Sequence, residues 1–97
     1  MITFDKFKFN ALESKDSRLL FSKYTFKNGI TISVITNTEF SNFNDGTYEV
    51  AFFKKNLPIE IPNKIKKVFK DNIIYRFFLK EIPEEKMDWI IKQIAIL

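Results

Sequence analysis

The stretch YTFKNGITISV (residues 24–34) constrains the fold more than any other, because an Asn-Gly turn separates two alternating apolar runs. A two-residue Asn28-Gly29 loop would pair Lys27 with Ile30, which sets a polar side chain against an apolar one. A four-residue type I turn with a left-handed Gly29 instead pairs Phe26 with Ile30. We expect this second register, in which the facing pairs are Tyr24 with Ile32, Ser22 with Val34 and Phe21 with Ile35.

Turn and strand signals elsewhere predict an antiparallel sheet of four to five strands in a single domain of 97 residues. Asn44-Asp45-Gly46 repeats the turn chemistry before an alternating strand pattern. NIIYRFFLK (72–80) is rich in β-branched and aromatic residues, which predicts a largely buried strand. Residues 37–43 either extend the second strand or form a loop. The strands are expected at about 18–26, 30–38, 47–54 and 73–80, with 2–9 as a candidate fifth.

Proline and capping residues predict two helices after the third strand. Pro58 and Pro62 interrupt the sheet, and Asn63 is a suitable N-cap for a short crossover helix over 64–70. Pro83 suits the first turn of a C-terminal helix, where the two glutamates that follow favour the positive end of the helix dipole. These signals predict an α+β fold with the C-terminal helix packed on one sheet face.

The C-terminal helix is apolar on two sides, and only one side can face the sheet. Trp89 and Ile96 are seven residues apart and lie roughly opposite the main apolar stripe. If these two side chains stayed in water, the fold would lack about 3–5 kcal/mol of stabilisation that their burial would give. Either the N-terminal segment 2–9 covers them, or they contact a partner or a second copy of the chain. The main stripe, expected in the core, is Met87, Ile90, Ile91, Ile94 and Leu97.

The predicted sheet is also apolar on both faces, which one helix cannot cover. The face away from the helix carries Phe21, Ile35, Ala51 and Phe53. An uncovered apolar face favours a partner or a homodimer, and Phe53 is a candidate anchor. The strand residues expected in the core are Ile30, Ile32, Val34, Tyr48, Val50 and Phe52.

Positive charge is concentrated in residues 54–70, where six lysines stand against Glu60 alone, in a chain of net charge +4. Such a strip either is a solvated face or contacts nucleic-acid phosphates or an acidic protein. Only Arg18 and Arg76 supply the guanidinium fork suited to bases and phosphates, which counts against nucleic acid. The lysines are Lys54, Lys55 and Lys64, and then Lys66, Lys67 and Lys70 on the outer side of the short helix.

Arg76 lies inside the last predicted strand. Ile74 and Phe78 flank it on the same strand face. It is expected to pair with Glu49 on a neighbouring strand or to extend its charged end to the sheet edge. The alternative is that Arg76 anchors an interface.

The residue types that carry most catalysis are missing. The chain contains no histidine and no cysteine, so the usual base, nucleophile and soft-metal ligands are absent. Glu84, Glu85 and Asp88 could cluster, but acids in a first helical turn serve the helix dipole. Two glycines in separate turns cannot build a phosphate-binding loop. We therefore expect no enzymatic activity, no metal site and no cofactor.

The sequence carries no targeting or membrane signal. The N-terminal MITFDKFKFN places two lysines and an aspartate within its apolar run, unlike a signal peptide. Uninterrupted apolar runs are only a few residues long, too short for a membrane span. We expect a cytoplasmic protein without a membrane partner.

A strand, an aromatic-x-Asn-Gly turn, a second strand, a variable loop, a third strand and a closing helix follow one another over residues 24–97. The residues that carry this order are Phe26, Asn28, Gly29, Ser33, Val34, Gly46, Tyr48, Glu49, Val50, Ala51, Ile94 and Leu97. In these features the chain resembles small accessory proteins of tailed bacteriophages. It departs from their pattern at Lys55-Asn56, where a Gly or Asp is usual, and at 64–70, which looks inserted or enlarged.

The phage resemblance implies a binding role, since small phage proteins often block host defence or redirect host enzymes. The function we expect is non-enzymatic binding and inhibition of a host protein in the host cytoplasm, such as a CRISPR-Cas or other nuclease complex. One alternative is a nucleic-acid-binding module that uses the basic segment 54–70. Another is a homo-oligomeric structural protein. The residues expected to contact a partner are Trp89, Ile96, Phe53, Arg76, Lys66, Lys67 and Lys70.

Overall fold

The computed structural model describes residues 2–11, 19–37 and 47–97, which form an antiparallel sheet with a helix across one face. The strands are β1 (Asn10–Ala11), β2 (Leu19–Thr25), β3 (Ile30–Asn37), β4 (Thr47–Lys54), β5 (Leu57–Pro58), β6 (Ile73–Ile74) and β7 (Phe78–Pro83). Their order is β1-β2-β3-β4-β7-β6, and β5 pairs with the end of β4. The α+β class is as predicted. The described residues hold seven strands rather than four to five, because three two-residue strands were not foreseen.

The β2–β3 hairpin closes in the register that its apolar residues favour. Phe26 pairs with Ile30 and donates its N–H to the Ile30 carbonyl oxygen at 2.8 Å, while the Gly29 N–H donates to the Phe26 oxygen at 3.0 Å. Gly29 has a φ of 87°, the left-handed conformation that the bulged turn requires. Tyr24 consequently faces Ile32, as predicted.

β4 is the central strand, because it pairs with β3 along one side and with β7 and β5 along the other. Its pairing with β7 shifts register between Tyr48 and Val50. Two β7 residues, Lys80 and Glu81, there lie opposite the single residue Glu49, and Glu81 has a φ of 55°. This is a β-bulge, which twists β7 toward the helix that follows it.

The prediction of one continuous strand over 73–80 is wrong, because the chain reverses inside that stretch. β6 and β7 pair as a hairpin, and the Phe77 N–H donates to the Ile74 carbonyl oxygen across the turn at 3.3 Å. Tyr75 and Arg76 both have positive φ, 53° and 68°. Asn-Gly usually supplies this conformation, so Tyr-Arg gives no turn signal in the sequence.

The two predicted helices are present as α1 (Asn63–Val68) and α2 (Glu84–Ala95). The prediction that Asn63 caps α1 is wrong. Asn63 is the first helical residue, and Pro62 precedes the helix without a side-chain hydrogen bond to it. α2 begins directly after Pro83, with two glutamates in its first turn as predicted.

The core lies between the sheet and α2. Two residues of the predicted core are less buried than expected: Tyr48 is half-buried, and Leu97 is 60% exposed because α2 ends two residues before it. The buried apolar residues that pack together are Phe4, Phe7, Phe26, Ile30, Ile32, Val34, Val50, Phe52, Ile61, Ile65, Phe69, Leu79, Ile82, Met87, Ile90, Ile91 and Ile94.

The Trp89 end of the second apolar side of α2 is covered by α1 and its flanking residues. Ile61, Ile65 and Phe69 are buried on this side of the core. The Phe69 and Trp89 rings lie 5.9 Å apart between their centroids. The short crossover segment is therefore a second layer element, which supplies much of the cover that the sequence left unassigned.

The N-terminal segment contains a 3-10 turn and is not the candidate fifth strand over 2–9. A 3-10 turn (Phe4–Lys6) places Phe4 in the core. The Phe4 N–H donates to Asp88 Oδ1 at 2.7 Å, which fastens the segment to α2. The ring contact of Trp89 is with Phe69, the residue that follows α1.

Several sequence predictions lie outside the described residues. These are the turn at Asn44-Asp45-Gly46, the choice between strand and loop for 37–43 beyond Asn37, and the position of Arg18.

Candidate partner-binding surfaces

One face of the sheet has no helix on it among residues 2–11, 19–37 and 47–97, and we call it the open face. Side chains alternate along each strand. Ile32 and Val34 face α2, so Thr31, Ser33 and Ile35, with the residues paired to them on β2 and β4, point away from it. The predicted placement of Phe21, Ile35, Ala51 and Phe53 on one face is confirmed by this register. The open face consists of Phe21, Lys23, Thr25, Thr31, Ser33, Ile35, Glu49, Ala51, Phe53, Ile74 and Phe78.

Two phenyl rings form the centre of the open face. Phe78 pairs with Ala51, and Phe53 is two residues along β4, a diagonal neighbour. Both rings line a depression of about 120 Å³ that Ser33 and Ile35 also border. Phe78 is 43% exposed, and Phe53 is half-buried. A depression of this size is smaller than the usual small-molecule pocket and fits one apolar side chain of a partner.

Arg76 lies in the β6–β7 turn, and the predicted pairing with Glu49 is wrong. Its Nη1 lies 3.4 Å from Glu60 Oε1 with both side chains exposed, so this pair contributes little to stability. The Ile61 N–H donates to the Arg76 carbonyl oxygen at 3.1 Å, which fixes the turn. The adjacent Tyr75 is 83% exposed in a left-handed conformation that a bulky residue adopts only when its surroundings impose it.

Trp89 and Ile96 do not form one exposed surface. Trp89 is half-buried against Phe69. Ile96 follows the end of α2 and is 59% exposed. Between them Gln93 is buried, and its Oε1 accepts no hydrogen bond within the described chain. The expectation that the second helix side is free therefore holds for Ile96 and fails for most of Trp89.

The three lysines expected to steer a partner lie on α1 or just after it. Lys67 and Lys70 are exposed, and Lys66 is half-exposed. No acidic side chain forms an ion pair with them in the part of the chain that the structure describes. Their charges therefore face solvent uncompensated, while the buried Ile65 and Phe69 hold the segment in place.

The acidic residues of α2 lie in its first turn and one turn further on. Glu84 and Glu85 are exposed in the first turn, and Asp88 accepts the hydrogen bond from Phe4. No group of three or more His, Cys, Asp or Glu side chains in the described ranges could hold a metal ion. The pKa of Tyr48 is raised, first by its burial and second by the negative charge of Glu84. A tyrosine with a raised pKa keeps its proton, and a protonated tyrosine does not act as a base.

The predicted apolar contact residues are thus divided among three places. Phe53 belongs to the open face, Trp89 lies beside the lysine-bearing α1, and Ile96 lies at the far end of α2. Sequence reasoning missed Phe78 and Tyr75 as exposed aromatic residues. Both were assigned to a buried strand, and only the unforeseen hairpin turn exposes them.

Comparisons with protein-family models, with curated proteins and with solved structures found no match. The resemblance to phage accessory proteins over residues 24–97 accordingly stays a prediction. None of the helices in the described ranges is long and apolar enough to cross a membrane.

Proposed function

We propose that this chain is a small non-enzymatic protein that binds and inhibits a host protein through the open face. The phage resemblance supports a host defence complex as the target class, such as a CRISPR-Cas or other nuclease complex. The observation that supports the binding role is that Phe53 and Phe78 line one depression on a sheet face that no described element covers. Aromatic rings in a shallow apolar depression are typical of interface hot spots.

The charge distribution supports a partner with an acidic surface. Lys66, Lys67 and Lys70 are unpaired within the described residues, and the net charge is +4. Unpaired surface charges attract an oppositely charged partner at long range and raise its association rate more than its final affinity. In this proposal the lysines accelerate association with the partner, and contacts on the open face slow its dissociation.

The test is an inhibition assay in cells with an active CRISPR-Cas nuclease, combined with a pull-down of that complex. Phe78→Asp places a charge at the centre of the open face, and Asn63→Asp places the same charge on an exposed residue of α1 as a matched control. Loss of a central aromatic anchor weakens an interface by about 2 kcal/mol, or about 30-fold in Kd. We expect Phe78→Asp to abolish inhibition and Asn63→Asp to retain it. Equal behaviour of the two variants would refute the role of the open face.

The lysines are tested separately by kinetics. Replacing Lys66, Lys67 and Lys70 together with alanine should lower the association rate and reduce its dependence on salt, while the dissociation rate changes little. An unchanged association rate at low salt would show that these lysines are only a solvated face.

A second candidate is the binding of single-stranded nucleic acid on the open face. Exposed aromatic rings on a sheet can stack on bases, and nearby unpaired lysines can contact phosphates. Phe53, Phe78 and Lys23 share this face. A gel shift with mixed DNA and RNA at low and moderate salt separates the candidates, since a protein-specific inhibitor gives no shift. Light scattering across a dilution series tests the homodimer that the same face could form.

A further inference from the structure

The outer edge of β2 is only partly covered. β1 pairs with it at two positions, Asn10 with Phe21 and Ala11 with Leu20. Beyond them, residues 22–25 have no neighbouring strand on that side within the described chain. An open strand edge of this kind is a template for an added strand.

The hydrogen-bond pattern shows which backbone groups this edge presents. Phe26 and Ile30 form a bonded pair, and bonded and non-bonded pairs alternate along an antiparallel ladder. Tyr24 is therefore bonded to β3, whereas the N–H and C=O groups of Lys23 and Thr25 point away from β3. These groups are positioned to bond the backbone of an extended peptide.

A groove of about 440 Å³ runs along this edge, with the N-terminal segment as its other wall. Lys6, Lys8 and Lys23 line it together with the apolar Phe7 and Tyr24, and none of its lining residues in the described ranges is acidic. None of the three lysines forms an ion pair with another described residue. The groove therefore carries a positive charge that a ligand must balance.

The groove continues toward the end of α2. A second depression of about 290 Å³ shares Ile2 and Tyr24 with the first and extends it to Phe26, Ala95 and Ile96. This end is lined mainly by apolar side chains together with Lys27, and Ile96, a residue that the sequence singled out for binding, is 59% exposed within it. The two depressions together form the β2-edge groove, basic at one end and mainly apolar at the other.

We infer that the β2-edge groove takes an extended segment of a partner protein, with alternating acidic and apolar residues, as an added strand on β2. Alternation follows from the period of two in a strand: one side of the segment meets Tyr24 and its apolar neighbours, and the other meets Lys23. Four open positions accept a strand of about 13 Å, long enough for two acidic and two apolar side chains. The inference rests on the proposed protein-binding function, although the groove meets the open face only along β2 and lies away from Phe53 and Phe78.

The probe is a synthetic peptide of four Glu-Val repeats with blocked ends, titrated into the whole chain and followed by amide chemical shifts in NMR. We expect the largest shifts at Lys23 and Thr25. Lys8→Gln and Lys23→Gln should each weaken binding about 1.5- to 5-fold, the range for exposed ion pairs. Lys92→Gln, on an exposed position of α2, is the matched control and should leave binding unchanged.

Two further peptides distinguish strand addition from simple charge attraction. A Glu-Val peptide methylated on alternate backbone nitrogens keeps its charge but cannot bond a strand edge, and it should not bind. A Lys-Val peptide should not bind either. Equal binding by either peptide, shifts centred away from β2, or no shifts with the first peptide would overturn the inference. Because Phe78→Asp leaves this edge intact, the peptide result and the open-face inhibition assay can fail independently.

Discussion

Replacing Asn28 tests how the first hairpin is fastened to the end of α2. Its Nδ2 donates to the carbonyl oxygens of Ile94 at 2.8 Å and Leu97 at 3.3 Å, and its Oδ1 accepts from the Ile30 N–H at 3.0 Å. A neutral internal hydrogen bond contributes about 0.5–1.5 kcal/mol net, with the long exposed contact at the low end. Asn28→Ala should therefore lower the free energy of unfolding by about 2.5 kcal/mol, and the melting temperature by about 10 °C or more.

The assay is urea unfolding followed by circular dichroism and by the fluorescence of Trp89, the single tryptophan. Asn28→Asp keeps the acceptor for Ile30 but places a negative charge beside the negative end of the helix dipole, so it should lose a similar amount. Lys27→Ala is the matched control, because Lys27 is exposed in the same turn, and it should change stability by less than about 0.5 kcal/mol. If Asn28→Ala were as stable as the Lys27 variant, the side chain would not be what joins hairpin and helix.

Three further predictions concern α2 and its contacts. Asp88→Ala removes the acceptor of the Phe4 N–H and should cost about 1.5–3 kcal/mol, with faster hydrogen exchange at Phe4; unchanged exchange would contradict it. Gln93→Met replaces a buried, unpartnered oxygen by an apolar group of similar shape and should raise stability by about 1 kcal/mol in urea unfolding, whereas a loss would point to an unseen partner. Tyr48 has its pKa raised above 10.0, so its contribution to stability is complete below pH 10 and is lost as pH rises through the folded-state pKa. Absorbance titration should show Tyr48→Phe removing a tyrosine with a raised pKa, and Glu84→Gln should lower the Tyr48 pKa.

Local turn chemistry made the β2–β3 hairpin predictable, because Asn28 and Gly29 have the conformational preferences that the turn needs. The β6–β7 hairpin was not predictable for the converse reason. Tyr75 and Arg76 adopt left-handed conformations that neither residue favours by itself. Tertiary contacts impose this turn, including the hydrogen bond from Ile61, which is remote in sequence.

The candidate surfaces likewise differ in how far the sequence predicts them. Alternation along β4 is enough to place Phe53 on the face away from the helix. The exposure of Phe78 depends on where β7 begins, and the burial of Trp89 depends on Phe69 from another element. The β2-edge groove could not be predicted, because it depends on the path of the N-terminal segment, whose periodicity suggested a strand.

The hydrogen bond between Phe4 and Asp88 joins residues that are 84 positions apart. During synthesis Phe4 therefore leaves the ribosome long before α2, the helix that receives it. The β2–β3 hairpin can form early from local contacts, but its inner face has no cover until α2 is complete. Newly made chains accordingly pass through a stage with bare aromatic surface, in which aggregation competes with folding.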